Sequence, residues 1–441
     1  MRLAIVTGGS RGDIQPLVAL GVELRKTGHS VVLCGNAYFR DFVTAHGLEF
    51  ASVNEADPRE GVAAAHRRRP ANPVTRVFRL FQRQPVDLDT LQCTWDACRQ
   101  AEAIIFTPFS GHAYMIAEAL EIACFAAYLH PWYPTGDFGC PMGLPPLPLG
   151  RVYNRLSHWL MYQLFWVNDR SAVNACRKKL GLSPMGWAGS NHWLHQRRVP
   201  FLFGFSPTLV PVPRDWPDEH HVTGFWFLEE SAGWQPPAAL VEFLRAGDVP
   251  VSVGFGSMVD PNSQWLFETV LDAVERNKLR AVVVGGWSQL GSLQLPKHVF
   301  AIDSIAYAWL FPRVAAAIHA SGSGTVAEVL RAGIPSIPIP FAAEQRFYGR
   351  ALARLGVAHE PIPRDQLSAG RLADALATLM ADTEMRARSM RVAELVRVED
   401  GVARAAACLN AYLRKREAQP VCVAAGTQSS GGIFPSRHSP D

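Results

Sequence analysis

The sequence lacks an uncharged apolar run of about 18 residues, the minimum that a membrane-spanning helix requires. The longest candidate, residues 113–129, is interrupted by Glu118 and Glu121. We also expect no secretory leader, because residues 1–7 form a short predicted strand that a Gly-rich turn follows at once. None of the eight cysteines forms a C-x-x-C pair or has ligand-like spacing to histidine. These absences predict a cytoplasmic protein with reduced cysteines and no metal site.

An excess of one charge is equally absent, since 43 basic and 39 acidic side chains leave a net charge of +4. This balance gives no argument for binding nucleic acid. The exception is segment 67–83, which contains six arginines, interleaved aromatic residues and no acidic residue. Such a segment suggests peripheral contact with an anionic membrane surface, although a solvated surface loop fits the same composition.

Residues 1–205 begin with a β–turn–α–β unit, which predicts a parallel Rossmann-like sheet. Strand 3–7 leads through the turn GGSRGD into helix 14–27 and strand 30–34. The turn is not G-x-G-x-x-G and no acidic residue follows the second strand, so dinucleotide binding is excluded. Asp13 lies where the first strand meets the helix, at the sheet edge where α/β proteins bind ligands. Its spacing alone favours a helix cap over a general base.

Two later strands of this unit, 103–107 and 125–129, end near residues that could contact an acceptor molecule. His112 follows the first strand at the start of a helix, which is also a common place for a histidine without a function. A loop rich in proline, glycine and aromatic residues follows the second strand. An apolar acceptor pocket and simple packing beneath a long loop are equally compatible with its residues Trp132, Tyr133, Phe138 and Met142.

A second Rossmann-like unit, residues 249–400, follows a connection at 206–248 that is rich in proline and tryptophan. Three turns of small residues, at 256–257, 285–286 and 321–324, fall at one edge of its predicted sheet, and Trp287 follows the second of them. The third turn precedes a short helix, so its free N–H groups and the helix dipole favour an anion such as phosphate. A helix at 401–417 and a low-complexity tail at 418–441, which we expect to be disordered, complete the chain.

Several spaced motifs give the chain a family resemblance: GSRGDIQPLVALG, PVSVGFGSM, WLFPRVAAAIH, and SGSGTVAEVLRAGIPSIPIPF with a following Glu-Gln pair. Together they resemble the sterol glucosyltransferases, a branch of the UDP-sugar-dependent glycosyltransferases. Rhamnolipid rhamnosyltransferases and antibiotic glycosyltransferases are similar, though less closely. The resemblance implies the GT-B fold, an α/β architecture in which two Rossmann-like domains with parallel sheets face each other across a cleft. It also implies inverting, metal-independent sugar transfer to the hydroxyl of a sterol or similar apolar acceptor, with UDP-glucose as co-substrate and no cofactor.

The resemblance also assigns roles to individual residues. Asp13 matches the catalytic base, and Ser10 and Gly12 of the same motif match acceptor contacts. The residues that match the donor site are Gly256, Ser257, Trp287, His319, Ser321, Gly322, Ser323, Gly324 and Thr325. Glu328 matches the acid that binds ribose hydroxyls, and the pair Glu344 and Gln345 matches the one that binds the donor sugar. From the pattern alone, Glu328 would face solvent and the pair would be a polar helix N-terminus.

One position departs from the family pattern. Sterol glucosyltransferases carry His-His-Gly-Gly at the start of the phosphate loop, whereas this chain has His319, Ala320, Ser321 and Gly322. A charge-assisted phosphate contact is therefore missing at Ala320, which leaves glucose and rhamnose open as donor sugars. A hydroxy-lipid, a carotenoid or a polyketide is the alternative acceptor. The alternative to an enzyme is a non-catalytic protein that binds nucleotide-diphosphate sugars or lipids.

Overall fold

Two parallel β-sheets, each flanked by helices, organise the chain in this computed structural model. The structure describes residues 1–59, 88–142, 144, 147–231, 233–258, 262–286 and 295–418. The basic segment 67–83, Trp287 and the tail from residue 419 onward lie outside these ranges, so the predictions made for them stay predictions. Within the described ranges, no helix is long and apolar enough to cross a membrane.

The first sheet has seven strands in the order β3-β2-β1-β4-β5-β6-β7, and all neighbours pair in parallel. They are β1 (Arg2–Val6), β2 (Ser30–Asn36), β3 (Glu49–Asn54), β4 (Ala103–Phe106), β5 (Ala123–Tyr128), β6 (Phe201–Phe203) and β7 (His220–Val222). The central strands are continuous apolar runs, because helices cover both faces of the sheet. The edge strand β7 falls within the predicted connection 206–248.

The described helices of this half are α1 (Arg11–Lys26), α2 (Arg40–Ala45), α3 (Leu88–Cys98), α4 (His112–Ala119), α5 (Gly150–Lys179) and α6 (Gly189–Gln196), with one-turn 3-10 segments at Ala37–Phe39 and Pro108–Ser110. Helix α1 begins at Arg11 rather than at residue 14, so Asp13 lies inside its first turn. The 30-residue helix α5 has no counterpart among the predicted elements.

The second sheet has five parallel strands in the order β10-β9-β8-β11-β12. They are β8 (Val251–Gly254), β9 (Ala281–Val284), β10 (Val299–Ile302), β11 (Ala317–His319) and β12 (Ser336–Pro338). Its helices are α7 (Ala238–Arg245), α8 (Ser263–Arg276), α9 (Tyr307–Leu310), α10 (Ser323–Ala332), α11 (Ala343–Arg354), α12 (Ala369–Ala381) and α13 (Thr383–Arg397). Strands β9, β8 and β11 are neighbours, so the three small-residue turns that follow them meet at one edge.

The last helix, α14 (Gly401–Ala418), returns from the second domain to the first. Leu409 and Leu413 are buried in the same apolar core as strand β1. His29 is hydrogen-bonded through Nε2 to Asn410 Oδ1 at 2.7 Å. The chain therefore crosses between the domains twice, which holds the two sheets on either side of one cleft.

Candidate active site

Asp13 is the third residue of helix α1 and turns back toward the residues that precede the helix. Its Oδ2 accepts hydrogen bonds from the Ser10 amide at 2.8 Å and the Ser10 hydroxyl at 3.1 Å. Gly9 permits this geometry, because its φ is +102° and a Cβ atom there would lie 2.4 Å from Oδ2. Ser10 is thus the N-cap and Asp13, at the third helical position, completes a capping box with it, so Asp13 takes part in the cap without being the predicted N-cap residue. Ser10 in turn fixes the orientation of the carboxyl group.

The carboxyl group of Asp13 also lies in a largely apolar recess at the carboxyl edge of the first sheet. The recess is lined by residues at the ends of β4 and β5, namely Thr107, Pro108, Phe109, Ala127, Leu129 and His130. Burial raises the pKa of Asp13 to about 6, although the Ser10 hydrogen bonds act in the opposite direction. A carboxylate with this pKa is a stronger base than a solvated one, so the capping residue can also take a proton from a hydroxyl.

The second domain faces Asp13 across a narrow cleft. A Cβ atom on Gly324 would lie 3.8 Å from the Cα of Gly12. Burial raises the pKa of Glu344, and the charge of Asp13 adds to that shift, so the two acids lie near each other. Beside helix α1 the cleft widens into a cavity of about 200 Å³, lined by Arg11 and Phe42 of the first domain and by Glu230, Trp234 and Ser304.

His319 fixes the loop between β11 and α10. Its Nδ1 accepts a hydrogen bond from the Ser321 amide at 3.0 Å, which leaves the ring proton on Nε2. Burial lowers the pKa of His319 to about 4, so the ring is neutral at neutral pH. Its Nε2 is buried and has no hydrogen-bond partner among the described residues. His319 therefore offers a neutral N–H donor rather than a positive charge.

Ser321 completes this loop in a strained conformation. Its φ is +65°, its side chain is fully buried, and its hydroxyl has no partner within the described part of the chain. Helix α10 starts two residues later with Gly322 as its N-cap. The first-turn amides of α10, from Ser323 to Thr325, have no intrahelical acceptors, and the helix dipole adds positive potential. Together these groups suit a phosphate.

Ala320 lies between these two residues but does not belong to the anion-binding groups. It is 5% exposed and packs in the apolar core of the second domain. The position at which sterol glucosyltransferases carry their second histidine is thus occupied by a methyl group within the core. Ala320 therefore cannot supply the charge that a histidine would carry at this position.

The turns after β8 and β9 are in direct backbone contact. Both Gly256 and Gly286 have positive φ, +61° and +60°. A Cβ atom on Gly286 would lie 2.1 Å from the carbonyl oxygen of Gly256, so only glycine fits there. This contact fixes the turn that carries Ser257 at the same sheet edge as the loop at Ser321.

Glu328 is buried rather than solvent-facing. Its two carboxylate oxygens accept hydrogen bonds from Arg331, both at 3.0 Å. Burial raises the pKa of Glu328 to about 7, although Arg331 opposes the shift. Arg331 also lies 4.3 Å above the ring of Phe227 and 3.4 Å from Glu229, so the interdomain connection covers this end of the helix. Glu328 is therefore a second acid that titrates near neutral pH.

Gln345 connects the start of helix α11 to the turn after β8. Its Oε1 accepts hydrogen bonds from the amides of Phe341 and Ala342 at 2.8 and 3.2 Å. Its Nε2 lies 2.9 Å from the sulfur of Met258, the residue that follows Ser257. The Gln345 side chain therefore caps helix α11 in this structure, whereas the neighbouring Glu344 lies near Asp13. Sugar binding by this pair stays a prediction.

The predicted acceptor-binding residues of the loop after β5 and His112 do not lie together around one pocket. Trp132 stacks on His130 at 4.9 Å, next to the Asp13 recess, and Phe138 contacts Phe347 of helix α11 at 5.5 Å. In contrast, His112 is hydrogen-bonded to Thr94 at 2.9 Å, Tyr133 packs against Phe201 and His220, and Met142 packs with Cys140 and Met161. Packing accounts for these last three, and their acceptor role stays a prediction.

Two family models match the two halves of the chain. The glycosyltransferase family 28 N-terminal domain matches residues 3–138, and the C-terminal domain of erythromycin biosynthesis protein CIII-like proteins matches residues 269–401. Among solved structures, the kitacinnamycin glycosyltransferase superimposes with a TM-score of 0.71 at 17% identity, covering 93% of this chain and 99% of its own. The glycosyltransferase VinC in complex with dTDP gives 0.64 at 17% identity, covering 95% and 100%. The predicted two-sheet fold is confirmed.

Sequence comparison with curated proteins points to a narrower group of relatives. A sterol 3-beta-glucosyltransferase of Arabidopsis thaliana is 35% identical over 422 residues, or 91% of this chain. One from Eremothecium gossypii is also 35% identical, over 421 residues and 91% of this chain. The chain belongs to the GT-B glycosyltransferases, and the sterol glucosyltransferases are relatives that it resembles over most of its length. It spans 64% of the Arabidopsis relative and 33% of the Eremothecium one.

In this GT-B chain, the structure adds three residues to the site that the motifs do not indicate. His130 and Phe109 line the Asp13 recess, and the Tyr348 hydroxyl donates to the Leu129 carbonyl at 2.8 Å across the domain boundary. Burial lowers the pKa of His130 to about 4, and its Nδ1 has no partner among the described residues. A sequence signal for His130 exists, since it is a polar residue just after the end of a buried strand.

The strain at Ser321 gives a testable consequence for this GT-B chain. We expect Ser321→Gly to raise the free energy of unfolding by about 0.5–1 kcal/mol, because relief of the left-handed backbone exceeds the entropy cost of glycine. The matched control is Ser323→Gly, at a helical position without positive φ, which should lower stability by about as much. Urea unfolding of both variants measures the difference, and destabilisation of both would show that Ser321 is not strained.

Proposed function

We propose that this chain is an inverting glycosyltransferase that transfers a sugar, glucose from UDP-glucose in the first instance, to the hydroxyl of a sterol or similarly apolar acceptor. The observation that carries the proposal is the desolvated carboxyl group of Asp13 opposite the helix N-terminus at Gly324. A base and an anion site on opposite walls of one cleft are what direct displacement at an anomeric carbon requires.

The reaction can be written with these groups. The acceptor oxygen forms a bond to the anomeric carbon while the bond from that carbon to the diphosphate oxygen breaks. Asp13 takes the hydroxyl proton, and the nucleoside diphosphate leaves with the bonding electron pair. The amides at the start of helix α10 and the N–H donor of His319 stabilise the negative charge that develops on the leaving group. Glu328 would accept hydrogen bonds from ribose hydroxyls.

The donor sugar and acceptor are the finer part of the proposal. The neutral His319 and the core position of Ala320 leave the phosphate contacts without a histidinium, which fits a donor held mainly by backbone amides. The test is a panel of UDP-glucose, UDP-galactose and dTDP-rhamnose against sterol, carotenoid and hydroxy-lipid acceptors, read by mass spectrometry. A glucosylated sterol supports the proposal; donor binding without product or hydrolysis would indicate a non-catalytic binding protein.

Location is also a proposal. We place the enzyme in the cytoplasm, at the face of a membrane that holds its acceptors, with segment 67–83 contributing positive charge. Replacing the six arginines of that segment should weaken sedimentation with anionic vesicles. Unchanged sedimentation would remove the segment from the proposal and leave the transfer reaction unaffected.

The two raised acid pKa values give a pH profile that separates the roles of Asp13 and Glu328. Lower pH protonates Asp13 and removes the base, so kcat should fall as pH drops through about 6 and level off above it. Glu328, with a pKa of about 7, should act on the KM for the donor instead. In Glu328→Gln the KM for the donor should no longer change with pH near 7, while kcat should still fall as pH drops through about 6. If kcat in that variant no longer fell near pH 6, the group responsible for the fall would be Glu328 and not Asp13.

A further inference from the structure

Helix α5 carries an uncovered apolar stripe on the surface of the first domain. The stripe consists of Leu149, Val152, Leu156, Trp159, Leu160 and Val167, whose side chains are 39–80% exposed. From Val152 to Val167 their spacing places them along one face of α5 over roughly 22 Å, and Leu149 is the N-cap residue just before the helix. Single exposed apolar residues are ordinary, but a row of this length, interrupted on the same face only by Gln163 between Leu160 and Val167, marks a contact surface.

The opposite face of α5 supports the loop that adjoins the Asp13 recess. Met161 packs with Cys140 in a small apolar cluster, and His158 lies against Phe138 with ring centroids 6.1 Å apart. Tyr162 donates a hydrogen bond to the carbonyl oxygen of Trp132. The stripe and the loop between β5 and α5, called the acceptor-side loop below, therefore lie on opposite sides of α5. Whatever covers the stripe is adjacent to the acceptor side of the cleft.

The charged residues around the stripe indicate the kind of surface that covers it. By helical periodicity Arg170 and Lys178 continue the same face beyond Val167, and the one acidic residue of the helix, Asp169, lies about a quarter turn away. Arg170 lies 4.2 Å above the ring of Trp187, which is 67% exposed. A helix with an exposed apolar row, tryptophans and basic residues is typical of attachment to an anionic bilayer interface.

A second copy of the chain fits this distribution less well. If two stripes met in antiparallel orientation, the basic end of each helix would lie against the apolar end of the other. In parallel orientation, Arg170 would lie opposite Arg170 of the second copy. Either arrangement removes cationic groups from water without an acidic partner on the stripe. Anionic lipid head groups supply that partner at the basic end and acyl chains solvate the apolar end.

We propose that the α5 stripe is a bilayer-contact surface, through which the protein lies on an anionic lipid membrane with its acceptor-side loop turned toward the lipid. The orientation rests on the proposed function, because an apolar acceptor would enter the cleft from the side of the acceptor-side loop. The contact itself needs no sugar transfer. It is also independent of segment 67–83, since the residues used here lie on α5 or in the loops on either side of it.

The experiment measures sedimentation of the full chain with vesicles of phosphatidylcholine, alone or mixed with phosphatidylglycerol, in the absence of any sugar donor. Val152→Glu and Trp159→Glu should each reduce binding to the mixed vesicles roughly tenfold or more, because each replaces an apolar side chain at the interface with a charge. The matched controls are Leu395→Glu and Val398→Glu, at apolar residues on and after helix α13 that are 56% and 76% exposed. The controls should bind as the unaltered chain does.

Each outcome bears on one claim. Equal binding by stripe and control variants would overturn the proposal, as would a stripe variant that converts a dimer to a monomer in size-exclusion chromatography. Turnover of a water-soluble acceptor should stay the same in all variants, which shows that they are folded. If no acceptor is glycosylated by any form but only the stripe variants lose vesicle binding, the proposed function fails and the membrane surface stands.

Discussion

Asp13→Asn is expected to lose about three orders of magnitude in the rate of sugar transfer while its affinity for the nucleotide sugar stays unchanged. The amide cannot take the acceptor proton. Its oxygen can still accept the two Ser10 hydrogen bonds, so the cap of helix α1 persists and stability should change by less than about 1 kcal/mol. Product formation at saturating donor gives the rate, and calorimetry gives the donor affinity.

The matched control for this variant is Asp41→Asn. Asp41 also lies in the first turn of a helix, α2, but it is exposed. We expect unchanged turnover from this control, since of these two aspartates Asp13 alone combines a first-turn position with burial in the cleft. Near-normal turnover by Asp13→Asn would remove Asp13 as the base. A parallel loss of donor affinity would instead show that its main part is to hold the cleft together.

The position of Asp13 could be predicted from sequence, but its chemistry could not. Strand and helix periodicity place it at the carboxyl edge of a parallel sheet, and the structure agrees. The cap and the base were competing predictions because a sequence does not show what covers a side chain. Gly9 allows the carboxyl group to fold back onto Ser10, and residues from the ends of β4 and β5 bury it. The same group can therefore serve both purposes.

Glu328 illustrates a different limit of the sequence pattern. It lies in a short helix where spacing alone predicts exposure to solvent. Its carboxylate is paired with Arg331, which in turn contacts Phe227 and Glu229 from a connection about a hundred residues earlier. Contacts between distant segments leave no periodic signal in either one. The same applies to helix α14, whose return to the first domain is set by packing of Leu409 and Leu413.

Helix α5 has only a weak sequence signal, for a related reason. A helix of a water-soluble protein is recognised by one apolar face and one polar face. In α5 apolar side chains lie on both faces, because Met161 and Trp166 pack inward while Val152 and Trp159 lie on the surface. The periodic contrast is therefore weak, although the helix is long. A weak contrast in a long helix outside a membrane span is itself a sign of a second contact surface.

Gly286→Ala is expected to be the most damaging small substitution in the donor half of the site. The new Cβ atom would lie 2.1 Å from the carbonyl oxygen of Gly256, and the φ of +60° disfavours alanine as well. Because the obstructing atom belongs to the backbone, the turn after β8 must move rather than a side chain. We expect a loss of about 3 kcal/mol or more in the free energy of unfolding, measured in urea, and a large loss of donor affinity.

Gly28→Ala separates the steric contact from the backbone conformation. Gly28 has a φ of +93° at the end of helix α1, but a Cβ atom there would meet nothing within 4 Å. Its substitution should cost only about 1 kcal/mol and leave donor binding intact. Equal costs at both positions would mean that the turns after β8 and β9 can separate freely. The donor site would then depend on the Ser321 loop alone, since the contact with Gly286 is what positions Ser257.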